Sequence, residues 1–147
     1  EQLTDELLSE DENKYHAFLI LDVDCFKQIN DIYGHAVGDI VLQKFGKLLK
    51  GTFREGDILG RIGGNEFGVI MKNIQTKDIA MKKAEELLAK TQAYKIDELK
   101  GNNISISIGI STAPQDGDCY MDLYKRADQA LYQAKRSGKA RVCNYFS

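Results

Sequence analysis

The first half of the chain carries one continuous apolar run followed by two stretches of helical periodicity. Residues 17–22 read AFLILD, which predicts a strand that is buried on both faces. Apolar side chains then recur at helical spacing over 24–34, with Asp24 standing before the helix and a glycine at its end. A second helix with the same periodicity is predicted over 39–51.

The second half of the chain contains a predicted hairpin and the clearest alternation of apolar and small residues. Residues 57–62 and 66–72 predict two strands, and the three residues between them, GGN at 63–65, suit a tight turn. Over 104–111, isoleucine alternates with serine and glycine, which predicts a further strand. The other predicted elements are a helix over 76–92 with Thr76 as its N-cap, a helix over 118–136 and a short strand over 141–145.

These elements follow the order β-α-α-β-β-α-β-α-β. Because a hairpin stands between helices in place of strict βα alternation, we expect an α+β fold: a mixed, mainly antiparallel central sheet flanked by helices, related to the ferredoxin-like plan. The length of 147 residues fits a single domain. Its expected core is 17–147. Residues 1–16 are expected to form a short amphipathic helix and an acidic loop, since leucines at helical spacing lie among acidic residues.

Charge and cysteine content narrow the classes of function. Lysine plus arginine number 20 and aspartate plus glutamate 22, a near balance that argues against a broad surface for DNA but leaves room for a local phosphate site. No apolar run is long enough to span a bilayer, so we expect no membrane contact from this segment. Three distant cysteines without a CxxC pair indicate reduced thiols in a cytoplasmic protein. The sequence begins with Glu1, which suggests a piece of a longer protein.

Two acidic residues, Asp22 and Asp24, stand at the end of the first predicted strand. Since side chains alternate along a strand, both carboxylates leave on the same face with the Val23 carbonyl near them. Such hard oxygens beside a helix N-terminus can hold Mg²⁺ and the phosphates that it accompanies. The alternative from the same residues is structural: Asp24 caps the helix and Asp22 is a solvated strand end.

The predicted hairpin tip also has two interpretations. Gly63 and Gly64 allow the backbone to approach a ligand closely, and the Glu66 carboxylate follows at once. The same glycines also suit a hairpin that needs nothing more than a positive φ.

The order and spacing of these features resemble one family. Similarity to the GGDEF family, the diguanylate cyclases that join two GTP molecules into cyclic di-GMP, is carried by LDVDCFKQINDIYGHAVGD (21–39), RIGGNEF (61–67), SISIGIS (105–111) and RADQALYQAKRSGK (126–139). The resemblance runs through nearly the whole chain and implies the nucleotidyl cyclase palm fold. The stretch that usually leads into the family's domain is not matched.

The resemblance implies a role for each matching position near the first strand. Asp22, through its carboxylate, and Val23, through its carbonyl, match ligands of Mg²⁺ (or Mn²⁺). The amides of Cys25 and Phe26 would contact the triphosphate of GTP. Lys27 would offset charge in the transition state.

Two further pairs match substrate-binding positions of the family. Asn30 and Asp39 match the pair that reads the guanine base. Lys135 and Lys139 match the basic pair on the β and γ phosphates, and their spacing puts them on one helical face. The family more often has arginine at the Lys139 position, so a point charge replaces a fork. Without the resemblance, both lysines would suit a solvated helix end.

Arg54 and Asp57 match the RxxD inhibitory site of the family, with Asp57 in the required register six residues before Gly63. The resemblance implies that the arginine fork binds a guanine edge or a phosphate of cyclic di-GMP, which would give product feedback.

The signature carries one departure, because Asn65 stands where the family has aspartate or glutamate. In the family that carboxylate shares the metal with Asp22 and is the proposed base for the attacking 3′-hydroxyl. An amide brings no negative charge and accepts no proton near neutral pH, and losing a general base costs about 10²–10⁴-fold in rate. Glu66 is a candidate substitute, although neighbouring side chains on a strand point to opposite faces.

Three hypotheses follow for this chain. The one that we favour is a degenerate GGDEF domain that binds GTP or cyclic di-GMP with weak or absent turnover. The second is an active cyclase, in which two GTP-loaded domains face each other in an antiparallel homodimer and Glu66 compensates. The third is an interaction domain without nucleotide, against which the retained substrate-binding residues count. The resemblance also implies fusion to sensory or other signalling domains of a bacterial protein, whose full chain could be tethered to a membrane.

Overall fold

The computed structural model describes residues 14–145, which form a five-stranded sheet with helices on both faces. No helix within this range is long and apolar enough to cross a membrane. Of the helix and acidic loop expected over 1–16, residues 1–13 lie outside the described residues, and residues 15 and 16 belong to the first strand. In chain order the elements are β1 (Tyr15–Val23), α1 (Phe26–Tyr33), α2 (His35–Thr52), β2 (Ile58–Gly63), β3 (Glu66–Ile74), α3 (Asp78–Ala93), a 3₁₀ turn (Asp97–Leu99), β4 (Ile106–Ala113), α4 (Tyr120–Arg136) and β5 (Val142–Asn144).

The central strand is β1, whose apolar run is bordered by a strand on each edge. It pairs antiparallel with β3 on one side and with β4 on the other, and eight of its nine residues are buried. Beyond these, β2 pairs antiparallel with β3 and β5 pairs parallel with β4, which gives the order β2-β3-β1-β4-β5. The sheet is therefore mixed and mainly antiparallel, which confirms the predicted α+β fold.

Helices α2 and α3 cover one face of the sheet, and α4 covers the other. On the first face, Phe45 of α2 meets Phe67 of β3 edge to face, with ring centroids 5.1 Å apart. On the second face, α4 packs tightly on Gly109 of β4, where a Cβ would lie 2.2 Å from the Ala127 carbonyl oxygen. This contact explains the alternation over 104–111: both faces of β4 are buried, and small residues occupy the face beneath the helix.

Helices α2 and α3 begin at other residues than predicted. Helix α2 begins at His35, four residues before the predicted start, because Gly34 alone turns the chain with a φ of 96°. Helix α3 begins at Asp78, and its N-cap position makes no side-chain hydrogen bond, so the predicted Thr76 cap is wrong. Thr76 contributes its carbonyl oxygen instead, which accepts from the Ile79 amide at 3.4 Å.

Candidate functional site

The end of β1 and the tip of the β2–β3 hairpin lie side by side. Pairing between β1 and β3 continues to their ends, where Asp22 stands opposite Glu66. Next to this pair, the Val23 amide donates to the Asn65 carbonyl oxygen at 3.3 Å. Residues 43 positions apart in the sequence, Asp22 and Asn65, therefore meet at one place.

The hairpin turn is tighter than predicted. Gly63 still pairs with Glu66, so Gly64 and Asn65 alone form the turn. Gly64 has a φ of 52°, a conformation that favours glycine. Arg61 closes the turn by donating from Nε to the Gly64 carbonyl oxygen at 2.9 Å. This short turn holds Asn65 directly beside the end of β1.

The Asn65 side chain contacts both groups for which a metal role is predicted. Its Nδ2 donates to Asp22 Oδ1 and, at 2.8 Å, to the Val23 carbonyl oxygen. The other oxygen of Asp22 accepts from the Lys135 ammonium of α4. Since the Asp22 side chain is only 8% exposed, the amide and the ammonium supply the hydrogen bonds that a buried carboxylate needs.

These residues offer hard oxygen ligands with less negative charge than a site of two carboxylates. Asp22 provides a carboxylate and Val23 a carbonyl, both suited to Mg²⁺. Asn65 turns its N–H groups toward them, and half a turn of the amide would present its oxygen instead, because the two ends have the same shape. The site therefore fits a divalent cation, with one carboxylate that Lys135 already partly neutralises.

Glu66 lies on the same face of the sheet as Asp22, because directly paired residues of neighbouring strands share a face. The expectation that Asn65 and Glu66 point to opposite faces holds for a regular strand, whereas Asn65 belongs to the turn. As a result, both side chains lie beside Asp22. Burial raises the pKa of Glu66, and the Asp128 and Asp22 carboxylates raise it further. The hydrogen bond from Tyr124 and the charge of Lys135 lower the pKa and offset part of this rise.

Tyr124 is a site residue that the sequence analysis missed. Its hydroxyl donates to Glu66 Oε1 at 3.1 Å, and burial together with the Glu66 carboxylate raises the pKa of Tyr124 to about 12. A signal was present in the sequence. Tyr124 precedes Lys135 by eleven residues, about three helical turns, so both lie on one face of α4.

The turn between β1 and α1 meets the loop that follows α4. Cys25, the N-cap of α1, has a φ of 55° and makes no side-chain cap hydrogen bond, and Phe26 and the exposed Lys27 follow it. The Nζ of Lys139 lies 3.3 Å from Cys25 Sγ. The capping role considered for Asp24 is wrong, because its carboxylate accepts hydrogen bonds from elsewhere in the fold.

The predicted base-reading residues meet at the contact between α1 and α2. Asn30 packs so closely on Gly38 that a Cβ there would lie 1.9 Å from Asn30 Oδ1. This oxygen is buried and accepts no hydrogen bond from residues 14–145. Asp39, the next residue of α2, is exposed and lines a cavity of about 300 Å³ together with Arg61 and Phe67.

Arg54 and Asp57 lie at the other end of β2 from the hairpin tip, about 20 Å away at the usual rise per strand residue. The Asp57 side chain is fully buried and accepts from the Arg54 amide and guanidinium, each at 3.0 Å. The guanidinium also donates to the Lys72 carbonyl oxygen at 3.0 Å. The pair thus braces its own loop, and beside it is a cavity of about 410 Å³ lined by residues that include Lys50 and Phe53.

Sequence comparison supports a family assignment. Over residues 1–141 the chain matches the family described as "Diguanylate cyclase, GGDEF domain". It is 40% identical over 127 residues to Diguanylate cyclase A of Treponema denticola, and equally so to the response regulator PleD of Caulobacter vibrioides. These matches cover 86% and 84% of this chain but 34% and 28% of those proteins, so the chain spans about a third of their length or less.

Solved structures share the fold. The GGDEF domain of TpbB (YfiN) from Pseudomonas aeruginosa matches with a TM-score of 0.93 and 31% identity, over 99% of this chain and 92% of that one. The active GGEEF domain of a diguanylate cyclase from Vibrio cholerae matches with a TM-score of 0.84 and 33% identity, over 91% of this chain and 85% of that one. The GGDEF domain of DgcB from Caulobacter crescentus, solved in complex with c-di-GMP, matches with a TM-score of 0.86 and 26% identity. This match covers 97% of this chain and 86% of that one.

Proposed function

Since this chain belongs to the GGDEF family of diguanylate cyclase domains, we propose that it binds GTP and converts it to cyclic di-GMP weakly or not at all. One observation carries the proposal. The amide of Asn65, at the position where the family has a carboxylate, donates hydrogen bonds to Asp22 and to the Val23 carbonyl oxygen.

The family reaction needs a group that Asn65 cannot replace. The 3′-oxygen of one GTP attacks the α-phosphorus of the other and expels diphosphate, and a second attack closes the ring. Each attacking hydroxyl gives up a proton, which an amide does not accept near neutral pH, so we expect turnover to fall by about 10²–10⁴-fold. A divalent cation held by Asp22 and Val23 supplies, when bound, positive charge next to the phosphates.

Nucleotide binding depends on groups that this chain retains. Lys135 and Lys139 bring two ammonium groups to the end of β1, one at Asp22 and the other at Cys25. The buried Asn30 Oδ1 lacks a donor among the described residues, and a guanine N–H group would supply one. Binding of GTP should therefore survive better than turnover.

The same proposal extends to the assembly and to the product. Any turnover requires two domains, each holding one GTP, facing each other as an antiparallel homodimer. Cyclic di-GMP would bind at Arg54 and Asp57, where a half-exposed guanidinium borders the cavity of about 410 Å³.

A second candidate, an active cyclase that uses Glu66 as its base, is favoured by one observation. Glu66 lies beside Asp22 and its pKa is raised, chiefly by burial. A carboxylate becomes a better general base as its pKa approaches the working pH.

The test of the proposed function is a turnover assay with GTP and Mg²⁺ or Mn²⁺, together with calorimetric titration of GTP. We expect GTP binding with little product from the unmodified domain, and at least about 10²-fold faster turnover from Asn65→Asp. Asn103→Asp is the matched control, since it makes the same chemical change in an exposed residue outside the site.

Each other outcome points to a different hypothesis. Turnover by the unmodified domain at the rate of Asn65→Asp would contradict the proposal of weak or absent turnover. Loss of that turnover in Glu66→Gln would then support the second candidate. A folded domain that binds neither GTP nor cyclic di-GMP would support the interaction domain.

Titration with cyclic di-GMP tests the second site. We expect Arg54→Ala to weaken binding by about tenfold or more, because hydrogen bonds from a charged fork are lost. Glu55→Ala changes a neighbouring residue of the same cavity and should not weaken the binding of cyclic di-GMP. Equal affinity in the unmodified domain and in Arg54→Ala would remove Arg54 from the site.

A further inference from the structure

Asp24 is a buried carboxylate that has no part in the site described so far. It is 6% exposed. Its Oδ1 accepts from Ser107 Oγ at 2.6 Å, and its Oδ2 accepts from Ser105 Oγ at 2.5 Å and from the Ala140 amide at 3.1 Å. Burying a carboxylate is unfavourable unless donors surround it, so these three bonds fix the position of Asp24 closely.

One of the three donors, the Ala140 amide, belongs to the loop that carries Lys139. Gly138, Lys139 and Ala140 have positive φ values of 125°, 64° and 51°. Residues with a Cβ adopt such a backbone rarely, and it persists where surrounding contacts hold it. The Lys139 amide donates to the Ala134 carbonyl oxygen at 3.0 Å, which joins the loop to α4, whereas the bond to Asp24 joins it to the end of β1.

On its other side, Asp24 adjoins a second residue with left-handed backbone. Cys25 begins α1 with a φ of 55°, and the Asp24 amide donates to the Ser105 carbonyl oxygen at 2.8 Å. Main chain and side chain thus both fasten Asp24 beside β4. Across this junction, Lys139 Nζ reaches to 3.3 Å from Cys25 Sγ. A single carboxylate therefore connects the start of α1 with the segment that carries Lys139.

We propose that Asp24 is a positioning residue of the nucleotide site. Its carboxylate holds the Lys139 loop against the β1–α1 turn through the Ala140 amide, so that the Lys139 ammonium meets the terminal phosphates of a guanosine triphosphate. The inference rests on the proposed function, because it assumes that GTP binds at this turn. Alanine in place of Asp24 would release the loop, because it has no oxygen to accept from the Ala140 amide.

The test is a double-mutant cycle on GTP affinity, measured by calorimetry. We expect Asp24→Ala and Lys139→Ala each to weaken GTP binding by about tenfold, as the loss of a hydrogen bond to a charged group does. The double variant should bind no more weakly than Lys139→Ala alone, because Asp24 acts through that lysine. Additive effects would overturn the proposal.

GMP separates positioning from a general loss of structure. It lacks the β and γ phosphates, so its affinity should be equal in the unmodified domain and in Asp24→Ala. A purely structural role would weaken GMP and GTP binding together and would contradict the proposal. Ser107→Ala is the matched comparison, since it removes the bond to Oδ1 but leaves the bond between Oδ2 and the Ala140 amide; it should weaken GTP binding much less than Asp24→Ala does.

Hydrogen exchange gives a readout that does not require Asp24→Ala to fold. In the unmodified domain the Ala140 amide should exchange slowly, since its acceptor is a buried carboxylate. Rapid exchange of this amide in a domain that binds GTP would overturn the role of Asp24 and leave the proposed function standing. A folded domain that bound no GTP would overturn both.

Discussion

Two charged pairs stand at opposite ends of the β2–β3 hairpin and are built in contrasting ways. In each pair, a buried aspartate accepts one hydrogen bond from a cationic side chain and another from an amide nitrogen. Asp57 receives both bonds from Arg54, three residues away. Asp22 receives its bonds from Asn65 and from Lys135, which are 43 and 113 positions away. The first pair is a local loop structure, and the second exists only once three elements have packed together.

This difference separates bracing from ligand binding. The Arg54 guanidinium is half-exposed but already holds Asp57 and a backbone carbonyl, so its first task is to shape the loop. The Asp22 pair joins a strand end, a hairpin and α4, and the nucleotide groups are proposed to meet there. Disturbing the local pair should therefore mainly cost stability, whereas disturbing the assembled pair should change the site.

The largest expected stability effect is that of Asp57→Ala. It removes a fully buried acceptor of two hydrogen bonds and should lower the free energy of unfolding by about 2–3 kcal/mol. Urea unfolding measures it, with an unchanged m-value as the sign of an intact native state. Glu55→Ala, an exposed neighbour, should change stability by less than about 0.5 kcal/mol. Equal effects of the two variants would deny the bracing role.

A smaller loss is expected from Lys135→Met. Methionine keeps the apolar part of the lysine side chain without the ammonium, so Asp22 is left buried with the Asn65 amide alone. Because the Lys135 side chain is 37% exposed, solvent already screens the pair, and we expect a loss of about 1–2 kcal/mol in the free energy of unfolding. Lys139→Met, at an exposed position, should cost less than about 0.5 kcal/mol in the same measurement. A larger loss of stability in Lys139→Met than in Lys135→Met would contradict the role given to the Lys135–Asp22 pair.

The same contrast decides what could be predicted from sequence. The apolar run of β1 and the alternation of β4 are local patterns, so the element order and the sheet followed from them. The RxxD pair is local too. By contrast, the direction of the Asn65 amide and the bond between Tyr124 and Glu66 depend on how distant elements pack. The inward turn of Asp24 was missed for the same reason, since its donors at 105, 107 and 140 come from far along the chain.

A more modest effect is expected from Mg²⁺ on thermal unfolding. In Asn65→Asp a further carboxylate would lie beside Asp22, and Mg²⁺ at ten times its dissociation constant would stabilise that variant by about 1.4 kcal/mol. The unmodified domain has the neutral Asn65 amide at this position and should gain much less at the same concentration. Equal gains in the two proteins would show that Asn65 does not weaken metal binding. Asn103→Asp again controls for added charge.

The smallest effect concerns the pH dependence of Glu66. Folding raises its pKa above the ordinary 4.5, chiefly through burial, so the carboxyl favours the folded state only while it is protonated. Its contribution is full below the unfolded pKa and is lost as pH rises through the folded pKa. Glu66→Gln, which cannot ionise and still offers an oxygen to Tyr124, should therefore gain stability relative to the unmodified domain between pH 4 and pH 7 in urea unfolding. Glu85→Gln, an exposed control, should show no such trend.

Glu66→Gln should also lower the pKa of Tyr124 from about 12, because it removes the Glu66 charge that helps to raise it. An unchanged tyrosine titration, followed by ultraviolet absorbance, would mean that the two side chains are not paired in solution.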